Sequence, residues 1–384
     1  WEYFLNLDDQ NLKSEIFVYA PYRLNSKDVF LTSRNLYKIL KKSDIPSKRL
    51  NGIDVYDPRV SSDMSLEADF SPNLCSKTKE NDIKVSIIIP SYNNKEYLLN
   101  TLKHLLRQDY SRDKYEIVIV DDGSDDGSET AISAFLSNYL GQFNYQYVYF
   151  PRPRKRRMGD AQFRAGVARN LGVKRSNGQL LVFLDSDILT PPNYISELVR
   201  EHQSWDVIQT ERLFLKESAS HISTLYHQVK KERDTYIPED GYWEKFYRDS
   251  RPWEEMENHW KYVCTYGLSL PKELFKRVGW FRKNYVYYGF EDTDIGYRLA
   301  KSGASFFKSP LKTFHLFHET KRSEFSNSAI MRHELLKKTA KVFFHNQLDP
   351  QIFESMPSLV DDGWNWRDLA IKLKNKFRER NERV

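Results

Sequence analysis

Chemistry in this sequence collects where apolar runs end in carboxylates. The stretch Gln179-Leu-Leu-Val-Phe-Leu-Asp185-Ser186-Asp187 is a short apolar run that stops at two acids one residue apart. An unpaired charge in a dry interior costs on the order of several kcal/mol or is titrated away, so these acids must emerge where the strand ends. Hard cations take oxygen ligands, and a cation offsets the charge of a diphosphate. An Asp-x-Asp at a strand end is therefore a compact way to hold a metal against a diphosphate. Taken alone, the tripeptide reads more readily as a solvated turn leading into a helix at Pro191. Asp121-Asp122-Gly123 closes a second apolar run, and it reads equally as an Asx turn with glycine at positive φ. Glu291, Asp292 and Asp294 open a helical stretch, where acids also simply complement the positive end of the helix dipole. His315 and His318 stand three apart, and either alone is an ordinary structural histidine.

The elements that must carry these residues alternate. Val85-Ser-Ile-Ile-Ile-Pro90 is a β-branched strand, followed by a helix with Leu98, Leu99, Leu102, Leu105 and Leu106 on one side. Tyr115–Val120 is a second strand, 129–140 a helix, Tyr145–Phe150 a third strand and 159–174 a helix. The strand ending at Asp185 comes next, then a helix over 194–203 and a strand over 205–215. Beyond residue 262 come a strand to Leu270, a helix over 271–278, a helix from Glu291 to Leu299 and a short strand at 304–307. Strand, helix, strand in this order predicts a doubly wound α/β sheet. Its first two strands end in polar loops on one edge, a crevice lined by Asn93, Asp121 and Asp122. Residues 216–262 are charged and aromatic and break the pattern, so they read as a partly mobile insertion over that edge. We expect an accessory segment or upstream remnant at 1–60, a linker at 61–82, the main domain at 83–345, and a basic amphipathic tail at 346–384. The tail suits peripheral contact with an anionic membrane surface, or packing on its own domain.

Composition narrows the classes. With 384 residues, 40% hydrophobic and 29% charged, the chain fits a soluble globular protein of one or two domains. A formal charge of +6 suggests anionic partners without demanding nucleic acid. Cys75 and Cys264 are too few for a disulfide framework or a Cys-rich zinc site. No apolar run reaches the roughly 18 residues of a membrane span, and no signal peptide is visible. The expected location is cytoplasmic, with peripheral contact at the inner face of the membrane. The chain opens on Trp1, as a trimmed chain or one piece of a longer protein would. The run Arg152-Pro-Arg-Lys-Arg-Arg157 reads as a nucleic-acid patch, a solvated loop, or a mobile flap over an anionic ligand; its position before the Asp-x-Asp strand favours the flap.

Five segments in order resemble the inverting glycosyltransferase family 2 and its GT-A fold: Val85-Ser-Ile-Ile-Ile-Pro-Ser-Tyr-Asn93, Val118-Ile-Val-Asp-Asp-Gly-Ser124, Ala168-Arg-Asn-Leu-Gly172, Phe183-Leu-Asp-Ser-Asp187 and Tyr288-Gly-Phe-Glu-Asp292. The C-terminal part is similar to bacterial chondroitin-type polymerases and galactosyl- or N-acetylgalactosaminyltransferases, which carry Gly-Gly-Glu-Asp where this chain has Gly289-Phe-Glu-Asp292. The Gln-x-x-Arg-Trp signature of membrane-embedded processive synthases is absent. The resemblance implies a mixed, mostly parallel sheet flanked by helices, a helical or irregular insertion and a helical C-terminal extension. It implies a UDP-sugar donor, a divalent cation (Mn²⁺ or Mg²⁺), and a glycan or protein acceptor. By that analogy Pro90, Tyr92, Asn93, Asp121, Arg164 and Ser186 bind the nucleotide-sugar. Asp185 approaches ribose and metal, Asp187 ligates the metal, and His318 completes the metal site. His315 ranks below His318, which is followed by Glu319. Asp292 is assigned as the base and Glu291 to the acceptor, with the two roles interchangeable at this point. A nucleotidyltransferase would carry a Gly-rich, Lys- or Arg-bearing loop where Ser91-Tyr-Asn-Asn stands. A nucleic-acid module using 152–157 would leave the acids and His318 without a joint purpose, so no nucleic-acid partner is expected.

Overall fold

The computed structural model describes residues 84–139, 142–150, 164–221, 224–237, 249–285 and 289–318, with short pieces at 17–19, 49–50 and 53–56, residue 246 and parts of 339–352. The expected linker at 61–82, the basic run 152–157, most of 1–60 and most of the tail lie outside the described residues.

The alternation in the sequence becomes a mixed, mostly parallel sheet flanked by helices, as expected for the GT-A arrangement. Strand β1 (Val85–Ser91) is followed by α1 (Lys95–Leu105), β2 (Tyr115–Asp121), α2 (Ser128–Ser137), β3 (Asn144–Tyr149), α3 (Ala165–Arg175) and β4 (Leu180–Leu184). After the Asp-x-Asp turn come β5 (Ile188–Leu189), α4 (Tyr194–Glu201), β6 (Val207–Leu215) and the short β7 (Thr235–Tyr236). Then follow β8 (Gly267–Pro271), α5 (Lys272–Arg277), α6 (Glu291–Lys301) and β9 (Phe306–His315). The sheet order is β3-β2-β1-β4-β8-β6-β9-β5, with β7 added on β6. β3, β2, β1 and β4 run parallel, and β8 is the antiparallel strand that joins them to the parallel pair β6 and β9.

Strands covered on both faces read as continuous β-branched runs, and that is why β1 and β2 were legible. Ile87, Ile89, Ile117 and Ile119 pack under α1, α2 and α4. Ile88, Val118, Val120 and Phe183 pack on the other face under α3, α5 and α6. Helix α3 approaches the sheet closely at Gly172, where a Cβ would lie 2.5 Å from Ile88 Cγ2. Within 216–262, Phe246, Trp253, Met256 and Tyr262 are buried in the α3/α5/α6 core. Trp260, Tyr285 and Tyr297 meet Ala340, Phe343 and Ile352 of the C-terminal pieces.

One strand differs from expectation. β9 does not stop near Phe307 but runs on to His315 beside β6. Its register shifts between Ser309 and Lys312, around Pro310, which has no N–H for the ladder. The charged and proline residues there hide the second half of the strand from a pattern reading. No helix among the described residues is long and apolar enough to cross a membrane.

Candidate active site

The end of β4 and the end of β9 build one cluster. β5 pairs antiparallel with β9, placing Phe314 opposite Leu189 and His315 opposite Ile188. The Leu316 N–H donates to the Asp187 carbonyl at 3.0 Å. This two-residue ladder brings both histidines to Asp187. His318 Nε2 lies 2.9 Å from Asp187 Oδ2, and His315 Nε2 lies 3.6 Å from Oδ1. One ligand atom from each of Asp187, His315 and His318 falls within 4.8 Å of the others. Tyr97 packs on the His318 ring at 5.1 Å and Phe214 on the His315 ring at 5.0 Å, fixing both imidazoles.

Burial alone would push the Asp187 carboxyl upward, but His315, His318 and Arg212 outweigh it and hold it at about 2. Burial lowers the basicity of His315, so an ionised carboxylate faces an imidazole that tends to neutral, the forms that bind metal. Asp187 Oδ1 is buried without a hydrogen bond, so one ligand oxygen is left without a protein donor. A carboxylate with two imidazoles fits a divalent cation. Asp185 stands apart from the three. Its Oδ1 accepts from Arg169 Nη2 at 3.0 Å, its Oδ2 lies 3.9 Å from Arg212 Nη1, and its side chain is 30% exposed.

A second group gathers at the ends of β1 and β2. The register sets Ser91 opposite Asp121. Asp121 is buried, accepting from the Ser124 N–H at 2.8 Å and from the Tyr147 hydroxyl. Burial pushes its pKa up, while those hydrogen bonds pull it back. Asn93, at φ +50°, laces the two loops together: its N–H donates to Ser124 Oγ at 2.9 Å, and its Oδ1 accepts from the Asp125 N–H at 2.8 Å. Pro90 and Tyr92 flank it, half-buried. Ser186 is buried and its Oγ accepts from Asn94 Nδ2 at 2.8 Å, tying the Asp-x-Asp turn to the same loop. Arg164 is buried against Asp122, with Nε 2.7 Å from Oδ1, and its guanidinium lies 4.0 Å from the Phe150 ring. It neutralises the second acid of the Asp121-Asp122 pair.

The third group is the start of α6. Gly289 at φ +99° and Phe290 at φ +69° turn the chain sharply into the helix. A bulky residue in that region is strained by about 1–2 kcal/mol. The Phe290 ring is held against Phe343 at 5.6 Å. Glu291 and Asp292 follow. Asp292 Oδ2 accepts from the Thr265 N–H at 3.0 Å and from its hydroxyl at 3.1 Å. Asp292 Oδ1 and Glu291 Oε2 are buried with no hydrogen-bond partner. Burial raises the pKa of both acids, and the Asp292 charge raises Glu291 further. Arg169 pulls both back down, and Asp185 acts on both in the opposite sense. Arg169 thus ties the acid pair electrostatically to Asp185. Asp294, one turn on, belongs elsewhere: it is fully buried and bonded to Arg298, Tyr285 and Gln347.

Residues 86–263 match the profile of Glycosyl transferase family 2. The chain carries a family 2 glycosyltransferase domain. It is 27% identical over 236 residues to validoxylamine A glucosyltransferase of Streptomyces hygroscopicus subsp. jinggangensis, covering 57% of this chain and 52% of that protein. It is 23% identical over 243 residues to chondroitin synthase of Escherichia coli, covering 58% of this chain and 33% of that one. The chain therefore spans about half the length, or less, of these curated relatives. Among solved structures, a fragment of TarS from S. aureus in complex with UDP aligns with a TM-score of 0.46 at 14% identity, covering 79% of this chain and 72% of that one.

Several residues of the candidate site were ranked low or not singled out from sequence. His315 sits in the cluster alongside His318, although only the acid after His318 had marked one of them. Arg169 lies inside a matched segment but looked like helix punctuation. Thr265 carries no signal. Glu211-Arg212, a charged pair inside an apolar strand, was a signal that could have been followed.

Proposed function

We propose that this chain transfers a sugar from a nucleotide-sugar, a UDP-sugar, to a hydroxyl of a glycan, with inversion at the anomeric carbon. The observation that carries this reading is the pairing of a metal-competent cluster, Asp187 with His315 and His318, with a buried acid pair at the start of α6, linked through Asp185 and Arg169. In this reading the acceptor hydroxyl gives its proton to Asp292. Its oxygen attacks the anomeric carbon, the bond from that carbon to the diphosphate breaks, and UDP leaves. Asp292 suits the base because Thr265 holds one of its oxygens while the other is bare, and because burial brings its pKa nearer the working range. Glu291 binds the acceptor. Asn93, Asp121 and their neighbours on the β1 and β2 loops receive the uridine. A divalent cation, Mn²⁺ or Mg²⁺, held by Asp187, His315 and His318, would offset the charge on the diphosphate. A relative named for chondroitin assembly supports a glycan acceptor over a protein.

The test is UDP release from a panel of UDP-sugars, with Mn²⁺ and with EDTA, on wild type and Asp187→Ala. Metal-dependent turnover of one donor, lost in the variant, is expected. Silence across the panel with no UDP binding by calorimetry would send the donor reading to another nucleotide.

A further inference from the structure

We propose that Gln209 is a positioning residue for the transfer step: its side-chain carbonyl fixes the turn from which Thr265 holds Asp292, a role that rests on the reading above. Gln209 is fully buried in β6. It meets the chain around the start of β8 twice. Its backbone stands opposite Leu268 in the β6–β8 register, and its Oε1 accepts from the Cys264 N–H at 2.9 Å. Between those two points residues 265 and 266 form a turn. Gln209 thus ties both ends of the turn that carries Thr265. Gly267 stands opposite Leu184, the residue before Asp185, so the turn sits at the sheet edge where the Asp-x-Asp residues emerge. A Cβ on Gly267 would overlap Thr210 Oγ1, so the turn cannot sink further towards β6, and the Gln209 amide keeps it from lifting away.

The order of the donors along this turn links Gln209 to the acid. Cys264 gives its N–H to Gln209, and the next N–H, that of Thr265, goes to Asp292 Oδ2 at 3.0 Å, beside the Thr265 hydroxyl at 3.1 Å. The two planar peptides meet at the Cys264 Cα, so a shift of the first reaches the second through two dihedrals. The amide is a poor choice for stability alone. Gln209 Nε2 is buried and has no hydrogen-bond partner among the described residues, and an unbonded buried donor costs stability. A leucine would exchange that orphan for one at the Cys264 N–H, leaving stability near balance. What glutamine adds is the accepting oxygen. The charged and titratable groups facing Asp292 are Glu291 beside it, Cys264 on the turn, Arg169 of α3 and Asp185 beyond β4. Against burial, the two Thr265 bonds favour the ionised carboxylate, so loosening them disfavours it.

The experiment compares wild type, Gln209→Leu, Gln209→Glu, Asp292→Asn and the double variant Gln209→Leu/Asp292→Asn. Urea midpoints are taken at low and neutral pH, UDP affinity by calorimetry with Mn²⁺, and sugar transfer across pH. A carboxyl whose folded pKa is raised loses stability as pH rises through it. Gln209→Leu should therefore lose more of its midpoint between low and neutral pH than wild type, and the excess should vanish in the Asp292→Asn background. UDP affinity should stay at the wild-type value. Transfer should fall roughly tenfold to a hundredfold, the cost of a displaced catalytic group, with its rising limb moved to higher pH. Gln209→Glu keeps the accepting oxygen and should recover part of the rate. An unchanged limb and an unchanged pH dependence of the midpoint in Gln209→Leu overturn the proposal. An excess loss that persists in the Asp292→Asn background also overturns it, by marking a purely structural role, as does a Gln209→Leu that does not fold. Wild-type transfer by Asp292→Asn, alongside the expected midpoint pattern, supports the tie from Gln209 to Asp292 and refutes the base reading.

Discussion

Replacing Asp294 by alanine should unseat the helix that presents the acid pair. Asp294 is fully buried in α6, and its Oδ2 accepts from Arg298 Nε at 2.8 Å and from Arg298 Nη2 at 2.5 Å. Its Oδ1 accepts from the Tyr285 hydroxyl at 3.0 Å and from Gln347 Nε2 at 2.5 Å, and Arg282 lies 3.5 Å away. One carboxylate thus joins α6, the loop before it and the C-terminal segment. Asp294→Ala leaves the Arg298 guanidinium, itself 11% exposed, without its counter-charge. Removing one partner of a buried pair costs roughly 3–5 kcal/mol. At about 2–4 °C per kcal/mol for a domain of this size, the melting temperature should fall by roughly 6–20 °C. Because Glu291 and Asp292 begin the same helix, transfer should fall more than donor binding does. The assay is thermal and urea unfolding of Asp294→Ala, Arg298→Met and the double variant. The double variant should regain part of the loss, since the buried Arg298 charge goes with its partner and Arg282, a third exposed, stays hydrated. A loss under about 1 kcal/mol in Asp294→Ala, below the usual toll of a broken buried network, would refute the view that this network seats α6.

Four further outcomes follow from the same geometry. The base must be ionised to work, and burial raises the pKa of Asp292, so kcat/KM should climb with pH along a limb lying above the ordinary carboxylate value of about 4; a limb at that ordinary value would contradict the assignment. The sign for stability is opposite: a raised folded pKa favours the protonated form, so wild type should lose stability relative to Asp292→Asn as pH rises through that value, measured by urea titration at low and neutral pH. Saturating Mn²⁺, at about a hundredfold over its dissociation constant, should stabilise wild type by about 2.7 kcal/mol, and His315→Ala and His318→Ala should each reduce the shift in a melting assay. Gly172→Ala would place a Cβ 2.5 Å from Ile88 Cγ2 and 3.2 Å from Val120 Cγ2; overpacking of this kind should cost about 1–3 kcal/mol by denaturant unfolding.

The sheet was legible because its central strands are buried on both faces. Ile87–Ile89, Ile117–Val120 and Leu181–Leu184 are uninterrupted apolar runs, and acids follow the second and third of them at the same sheet edge. The second half of β9 was hidden by Pro310 and its lysines, and with it the approach of His315. Whether a histidine reaches Asp187 depends on the register of a two-residue strand, Ile188–Leu189, and no local pattern encodes that. The three acids at the start of α6 look alike in sequence, yet Asp294 is a structural anchor while Glu291 and Asp292 keep bare oxygens. Arg164 and Arg169 look like similar helix arginines. One neutralises Asp122 and the other pairs with Asp185, a division decided by which strand end each helix turn meets.

The most direct test of the central claim is to separate chemistry from donor binding at Asp292. Sugar transfer and UDP affinity would be measured side by side on wild type and Asp292→Asn, with Mn²⁺ present. The account predicts transfer reduced by at least about a hundredfold, within the range for loss of a general base, with UDP affinity close to wild type. Retained transfer would contradict the base assignment, and a comparable loss of UDP affinity would mean that Asp292 holds the nucleotide site together instead.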